Sequence, residues 1–164
     1  MKLYLASPLG FAGSTKGFMR ELAELLRAAG FDVYNPFDGG FGPAFAEARA
    51  APPDERTERL HAVNHDVGRV NERAIRAANM VVAVLDGVDV DSGTASEIGF
   101  AYALGRPVFG LRTDSRQTGD NAGAIVNLQV QYFIEAGGGR VARTTDELLA
   151  VLPSATGGDG QEAP

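Results

Sequence analysis

The sequence predicts a single α/β domain with a flavodoxin-like (Rossmann-like), doubly wound fold around a mostly parallel, five-stranded sheet. Two observations predict it. Met80–Leu85 is an apolar, β-branched run without alternation, which is typical of a strand covered on both faces. Lys2–Ser7, a helical pattern over Thr15–Ala29 and Phe31–Asn35 form a strand–helix–strand unit, which is right-handed by default.

The remaining helices and strands are predicted from Gly and Pro residues that end them and from the spacing of apolar residues. Glycine at position 30 is the expected C′ residue of the first helix, and Gly105 with Pro107 ends the helix that follows Asp91. Pro107–Leu111 and Val141–Ala142 supply the last two strands. A long polar helix is expected to begin near Asp54. Its buried stripe is predicted from apolar residues spaced three or four apart: Leu60, Val63, Val67 and Val70.

The end of the chain is predicted to contain a short helix and then a tail. The helix is expected over Thr145–Leu152, with Thr145 near its N-cap. The domain is therefore assigned to residues 1–152. The Gly-rich residues 153–164 are predicted to be disordered.

Composition excludes several classes of protein. The net charge of −6 argues against a surface that binds nucleic acid, which needs clustered Lys and Arg. No apolar run approaches the about 18 residues of a membrane span. The absence of cysteine excludes disulfides and zinc–thiolate sites. With no signal-peptide pattern at the amino terminus, we expect a cytoplasmic protein.

Glu97 is the sole charged residue between Asp91 and Arg106, in a helix that otherwise consists of small and apolar residues. The helix follows a predicted buried strand, so Glu97 is expected at the carboxyl ends of the strands, where open α/β sheets bind ligands. The alternative is a solvent-facing glutamate favoured by the helix dipole. The Ser/Thr/Gly residues that precede Glu97 favour the ligand site.

Three further side chains are candidates for chemistry beside Glu97. Asp91 either pairs with Glu97 as in glycosyl chemistry, or caps the helix, or does both. Asp66 is predicted at the edge of the long helix's buried stripe, and the alternative is capping or pairing with a nearby arginine. Tyr4 belongs either to the core or to the crevice.

Other motifs give weaker evidence of a functional site. The spacing of Gly10, Gly13 and Gly17 matches neither the dinucleotide nor the Walker pattern, although backbone amides there can still face a phosphate. His61 and His65 are four residues apart without a third ligand, so no metal site is predicted. The Gly-, Pro- and Phe-rich stretch from Phe37 to Pro53 is interpreted as a flap over the site, with a short helix at Ala44–Ala50.

Four segments resemble the nucleoside 2-deoxyribosyltransferases. They are Tyr4–Leu9, Asn64–Asp66, Asp91–Pro107 and Val126–Leu128, and the third is the most specific. The resemblance covers about residues 2–150. It implies exchange of the base of a 2′-deoxyribonucleoside with a free purine or pyrimidine base, through a covalent intermediate and with retention. It implies neither a metal nor a cofactor.

The resemblance also implies roles for individual residues. Glu97 would be the nucleophile that attacks C1′, and Tyr4 would position it. Asp91 and Asp66 would hold the base and assist proton transfer. Asn127 would reach the sugar 5′-hydroxyl in the site of a neighbouring subunit, which implies a homo-oligomer. Further substrate-binding residues are assigned from the same segments and from the flap: Ser7, Pro8, Gly93, Gln129 and Phe41.

Two alternatives stay open. A related group hydrolyses nucleoside 5′-monophosphates with the same fold and glutamate, but uses a serine where this chain has Asn127. Asn127 favours a free 5′-hydroxyl, whereas Gly10, Gly13, Ser14 and Lys16 leave a phosphate possible. The second alternative is a non-catalytic module that senses a nucleotide in the same crevice.

Overall fold

A computed structural model describes residues 1–155. Its strands are β1 (Lys2–Ala6), β2 (Asp32–Tyr34), β3 (Met80–Val84), β4 (Val108–Leu111) and β5 (Val141–Ala142). Its helices are α1 (Lys16–Ala28), α2 (Gly42–Ala50), α3 (Pro53–Ala77), α4 (Ser92–Ala103), α5 (Leu128–Ala136) and α6 (Thr145–Val151), with a 3₁₀ turn at Pro36–Asp38. From residue 156 onward, the predicted tail lies outside the residues that the structure describes.

The five strands form one sheet in the order β2-β1-β3-β4-β5, and every pair is parallel. The predicted α/β fold is confirmed. After β2 the chain returns across β1 to place β3 on its other side. The strand order therefore reverses between β1 and β3, which is the position where open parallel sheets form a ligand crevice.

The sheet is covered on both faces. Side chains alternate along β1, so that Leu3 and Leu5 join one core with α1 and α6, whereas Tyr4 joins the other with α3, α4 and α5. All five residues of β3 are buried, as its uninterrupted apolar sequence predicts. No helix in residues 1–155 is long and apolar enough to cross a membrane.

The helix ends agree with the glycine and capping signals in the sequence. Gly30 and Gly105 follow α1 and α4 with φ of 94° and 67°, a conformation that glycine adopts without strain. Thr145 lies next to the N-cap of α6, as predicted: it is the first helical residue, and Thr144 caps the helix by accepting the Glu147 N–H at 3.1 Å. The short flap helix begins at Gly42, two residues earlier than predicted.

The predicted buried stripe of α3 is only half-buried. Leu60, Val63, Val67 and Val70 are all partly exposed, and Ile75 is the buried residue of this helix. With 25 residues the helix is about 37 Å long at 1.5 Å per residue, about twice the length of a five-residue strand. Its first half therefore extends past the sheet, where it packs against α2.

A reciprocal pair of side chains ties the loops after β3 and β4 together. Arg112 is fully buried, and its guanidinium donates to the carbonyl oxygens of Leu85, Gly87 and Arg116 at 2.5–3.3 Å. In return, Asp86 accepts from the Thr113 and Asp114 backbone N–H groups at 2.6 and 2.9 Å. The loop that leads into α4 is thus fixed from the neighbouring strand.

Arg112→Met is expected to destabilise the fold by about 3 kcal/mol, because it leaves buried carbonyl oxygens without donors. Chemical denaturation measures this, with Arg143→Met as the control for losing an exposed arginine. An equal loss in both variants would contradict a structural role for the Arg112 contacts.

Candidate active site

A cavity of about 580 Å³ lies at the carboxyl ends of β1, β2 and β3. It is formed by the loop after β1, the 3₁₀ turn, the flap helix α2, the middle of α3 and the start of α4. Its lining residues are Ser7, Gly10, Phe11, Lys16, Pro36, Phe37, Phe41, Gly42, Phe45, Asn64, Val67, Asn71, Asp91, Gly93, Thr94 and Glu97. This volume is in the range typical of small-molecule sites.

Glu97 lies at the wall of this cavity and is held by Tyr4. The Tyr4 hydroxyl donates a 2.5 Å hydrogen bond to Glu97 Oε1. Tyr4 is completely buried in β1, so its position is fixed by the sheet. Tyr4 thereby holds one carboxylate oxygen, and within residues 1–155 Oε2 has no hydrogen-bond partner.

The pKa of Glu97 is raised from its ordinary value. Burial is the largest cause, because it disfavours the charged form; the Tyr4 hydrogen bond lowers the pKa, and the nearby charge of Asp91 raises it. The helix dipole opposes this rise in the pKa of Glu97 only weakly. Glu97 is the sixth residue of α4, and the dipole effect falls off beyond the first turn.

Tyr4→Phe is expected to lower kcat/KM about 10-fold near neutral pH, because it removes a hydrogen bond that stabilises the ionised glutamate. The pKa of Glu97 would then rise further, so the acid limb of the pH–rate profile would move to higher pH. Tyr34→Phe is the matched control, since the Tyr34 hydroxyl contacts Asn71 rather than Glu97. Identical pH profiles for Tyr4→Phe and wild type would contradict the role of Tyr4.

Asp91 is both a cap and a cavity residue. Its Oδ2 accepts from the Thr94 backbone N–H at 3.0 Å and lies 3.4 Å from the Thr94 hydroxyl, which caps α4. It also lines the cavity with Gly93 and Glu97. Asp91 can therefore cap the helix and also act beside Glu97 in the cavity, which are the two roles that the sequence left open.

The loop after β1 contributes one of its two predicted residues to the cavity. Ser7 lines it, with its hydroxyl accepting the Leu9 N–H at 3.1 Å, whereas Pro8 does not line it. The flap faces the cavity through Phe37, Phe41 and Phe45. Phe11, which is 81% exposed, packs edge-on against Phe37 with ring centroids 4.9 Å apart.

Asp66 does not lie where the sequence placed it. It is an exposed residue of α3 that pairs with Arg69 one turn later, the alternative noted above, and it does not line the cavity. Because the apolar stripe of α3 is only half-buried from Leu60 to Val70, its edge at Asp66 faces solvent. The residues of α3 that do line the cavity are Asn64, Val67 and Asn71.

Asn127 and Gln129 also lie outside the cavity of their own chain. Asn127 caps α5, with Oδ1 accepting from the Gln129 and Val130 backbone N–H groups at 3.0 and 3.4 Å. Gln129 is exposed. A contribution of Asn127 to a neighbouring subunit's site stays a prediction.

Sequence reasoning missed Tyr34 and Asn71. Tyr34 stacks on Tyr4 with ring centroids 5.5 Å apart, and its hydroxyl donates to Asn71 Oδ1 at 3.3 Å. Burial, followed by the charge of Glu97, raises the pKa of Tyr34. The seven-residue spacing of Asn64 and Asn71 places both amides on one face of α3, which is a sequence signal for Asn71 but not for Tyr34.

The site therefore joins two carboxylates, a cluster of aromatic side chains and several neutral hydrogen-bonding groups. Among residues 1–155 no group of three or more metal-ligating side chains comes together. A carboxylate in the switch-point crevice of a parallel sheet is the arrangement of an α/β protein with a candidate small-molecule site beside a potential nucleophile.

A model of the nucleoside 2-deoxyribosyltransferase family matches residues 3–129, and the chain belongs to this family. An uncharacterised protein of Schizosaccharomyces pombe is 29% identical over 114 residues, or 70% of this chain. The chain spans about half (51%) of the length of that curated relative.

Solved structures share the fold. A conserved protein of Enterococcus faecalis is 29% identical, with a TM-score of 0.65, over 92% of this chain and 96% of that chain. A 2-deoxyribosyltransferase of Bacillus psychrosaccharolyticus is 24% identical, with a TM-score of 0.59, over 80% of each chain. A CMP N-glycosidase of Clostridium botulinum is 19% identical, with a TM-score of 0.53, over 92% of this chain and 95% of that chain.

Proposed function

We propose that this protein exchanges the bases of 2′-deoxyribonucleosides by a two-step mechanism with retention at C1′. The observation that carries the proposal is Glu97, a cavity carboxylate with one oxygen bonded to Tyr4 and, in the described part of the chain, no partner at the other. Family membership supports nucleoside and base substrates.

In the first step Glu97 Oε2 attacks C1′ of the deoxyribose. The C1′–O bond forms as the bond from C1′ to the base nitrogen breaks, and the base leaves with that electron pair. In the reactive state the two carboxyl groups share one proton, which is on Asp91, so that Glu97 is ionised for the attack and the Asp91 carboxyl protonates the departing nitrogen. In the second step a nitrogen of another base attacks C1′, the ester bond breaks and the Glu97 carboxylate is restored. The proton of the incoming nitrogen returns to Asp91.

The flap keeps water from competing with the second base. Phe37, Phe41 and Phe45 present aromatic faces to the cavity, where a base can stack and exclude solvent. The same residues would form a lid that opens for release of the first base. In a homo-oligomer, Asn127 of a neighbouring subunit would complete the contacts to the 5′-hydroxyl.

The decisive experiment is a chromatographic assay of purified protein with 2′-deoxyinosine, with and without free adenine. Formation of 2′-deoxyadenosine only when adenine is present supports base exchange. Release of hypoxanthine without a new nucleoside, at the same rate with or without adenine, would overturn it in favour of hydrolysis.

Hydrolysis of nucleoside 5′-monophosphates is the second candidate. The observation that favours it is that Gly10 and Lys16 line the same cavity as Glu97, so a cation and backbone amides are available to a phosphate. The same assay with 2′-deoxynucleoside 5′-monophosphates separates the two. If no nucleoside or nucleotide is consumed at all, a non-catalytic nucleotide-binding module becomes the better proposal.

A further inference from the structure

A second cavity, of about 310 Å³, lies between α1 and the 3₁₀ turn that follows β2. The α1 residues that line it recur every three or four positions and so form one face of the helix: Lys16, Met19, Arg20, Ala23 and Arg27. The other lining residues are Gly10, Asn35, Phe37 and Asp38. We call it the outer cavity, to distinguish it from the cavity that contains Glu97.

The ring of Phe37 forms a wall between the two cavities. It lies directly against the backbone of Gly10, where a methyl group added to the glycine would be 2.2 Å from the ring. Both residues line both cavities, as does Lys16. A ligand in the outer cavity would therefore lie beside the Glu97 cavity without occupying it.

The outer cavity is positively charged, in a protein whose net charge is −6. Its lining side chains carry three cations and one carboxylate, and that carboxylate, Asp38, pairs with Arg27 at 2.9 Å. Among residues 1–155, neither the Lys16 ammonium nor the Arg20 guanidinium has an ion-pair or hydrogen-bond partner. Two cations are thus available to an anion.

Asn35 adds a neutral donor to this wall and is itself only 6% exposed. Its Oδ1 accepts the Phe37 backbone N–H at 3.2 Å. Because a backbone N–H can only donate, this contact fixes which amide atom is the oxygen and leaves Nδ2 on the other side. In the described part of the chain Nδ2 has no acceptor, yet it is not among the polar atoms that are cut off from solvent. A ligand in the outer cavity can therefore accept from Nδ2.

We propose that the outer cavity binds a phosphate group, with Lys16, Arg20 and the Asn35 amide as its donors. A phosphate dianion matches the two unpaired cations, and a guanidinium can pair with two phosphate oxygens through parallel N–H bonds. A volume at the lower end of small-molecule sites also leaves room for a small group esterified to the phosphate. The inference does not depend on the function proposed above, since it concerns residues outside the reacting groups.

The test is a titration with inorganic phosphate, followed by ³¹P NMR at an ionic strength held constant with sodium chloride. Arg20→Gln is expected to weaken phosphate binding about 5-fold or more, because it removes a charged donor. Arg20 is exposed, so this variant is expected to fold. Arg73→Gln, which removes an exposed arginine of α3 outside both cavities, is the matched control and is expected to bind phosphate like wild type.

A second variant tests the neutral donor. Asn35→Ser keeps a side-chain oxygen that can accept the Phe37 N–H but removes the amide hydrogens. It is expected to weaken phosphate binding about 2- to 3-fold. Repeating the titration with glycerol phosphate distinguishes the source of the phosphate group. Tighter binding of glycerol phosphate than of inorganic phosphate supports the site as one for a phosphomonoester, and equal or weaker binding supports it as one for the free ion.

Two results would overturn the inference. Equal affinity of wild type, Arg20→Gln and Arg73→Gln for phosphate would mean general attraction to surface cations. Loss of phosphate binding when 2′-deoxyadenosine is added to a Glu97→Gln variant, which binds without turnover, would place the phosphate in the Glu97 cavity instead. Both measurements report binding, so failure of base exchange by wild type would overturn the proposed function and leave this site standing.

Discussion

Glu97→Gln is expected to reduce base exchange by on the order of 10³-fold or more, because the amide cannot form the ester with C1′. The Gln carbonyl oxygen still accepts the Tyr4 hydrogen bond, and the side chain keeps its volume. The loss would therefore come from the missing nucleophile and not from a rearranged cavity.

The same substitution is expected to leave the fold at least as stable as wild type. A raised pKa means that the folded state binds the Glu97 proton more tightly than the unfolded state does. The stability that this provides is present below the unfolded-state pKa and is lost as the pH rises through the folded-state pKa. Glutamine carries no charge, so the melting temperature of the variant should equal or exceed that of wild type at pH 8, and the gap should narrow on acidification.

Single-turnover assays and thermal melts at two pH values check both expectations. Near-normal turnover in a folded Glu97→Gln variant would contradict the nucleophile assignment. A melting temperature well below that of wild type at pH 8 would instead mean that the carboxylate stabilises the fold.

Asp91→Asn is expected to lower turnover about 10²- to 10⁴-fold with little loss of stability, because a proton donor is lost while the helix cap is kept. Asparagine is as good an N-cap as aspartate, and its Oδ1 still accepts the Thr94 N–H. Asp91→Ala removes both functions and should cost about 1 kcal/mol of stability in addition.

Comparing the two Asp91 variants separates chemistry from capping. Turnover is measured with 2′-deoxyinosine and adenine, and stability by chemical denaturation. If Asp91→Asn is as active as wild type while Asp91→Ala is only less stable, Asp91 is a cap and the proton comes from elsewhere.

The sequence predicted those features that depend on local pattern and on the order of elements. The unbroken apolar run of β3 and the lone charge of Glu97 were enough to predict a parallel sheet and a carboxylate at its carboxyl edge, and the structure places Glu97 there. The capping alternative for Asp91 was also visible, since it precedes the small residues that begin α4.

The residues that the sequence misplaced or missed depend on how far α3 extends past the sheet and on how the strands pair. Asp66 lies near an apolar stripe, yet that part of α3 is not covered by the sheet, so the carboxylate faces solvent and Arg69. Tyr34 and Asn71 come together only through the β1–β2 register and the packing of α3, neither of which has a local signal. Tyr34 and Asn71 are also neutral, whereas Glu97 was recognised in the sequence by its charge.

The hydrogen bond between Tyr4 and Glu97 joins residues that are 93 positions apart. Such a contact forms only after the chain has closed a long loop and docked β3 beside β1. No shorter piece of the chain that lacks either segment can hold the carboxylate in place. Recovery of activity during refolding would therefore report completion of the central sheet, and two inactive halves divided in the Phe37–Pro53 flap would regain turnover only by reassembling it.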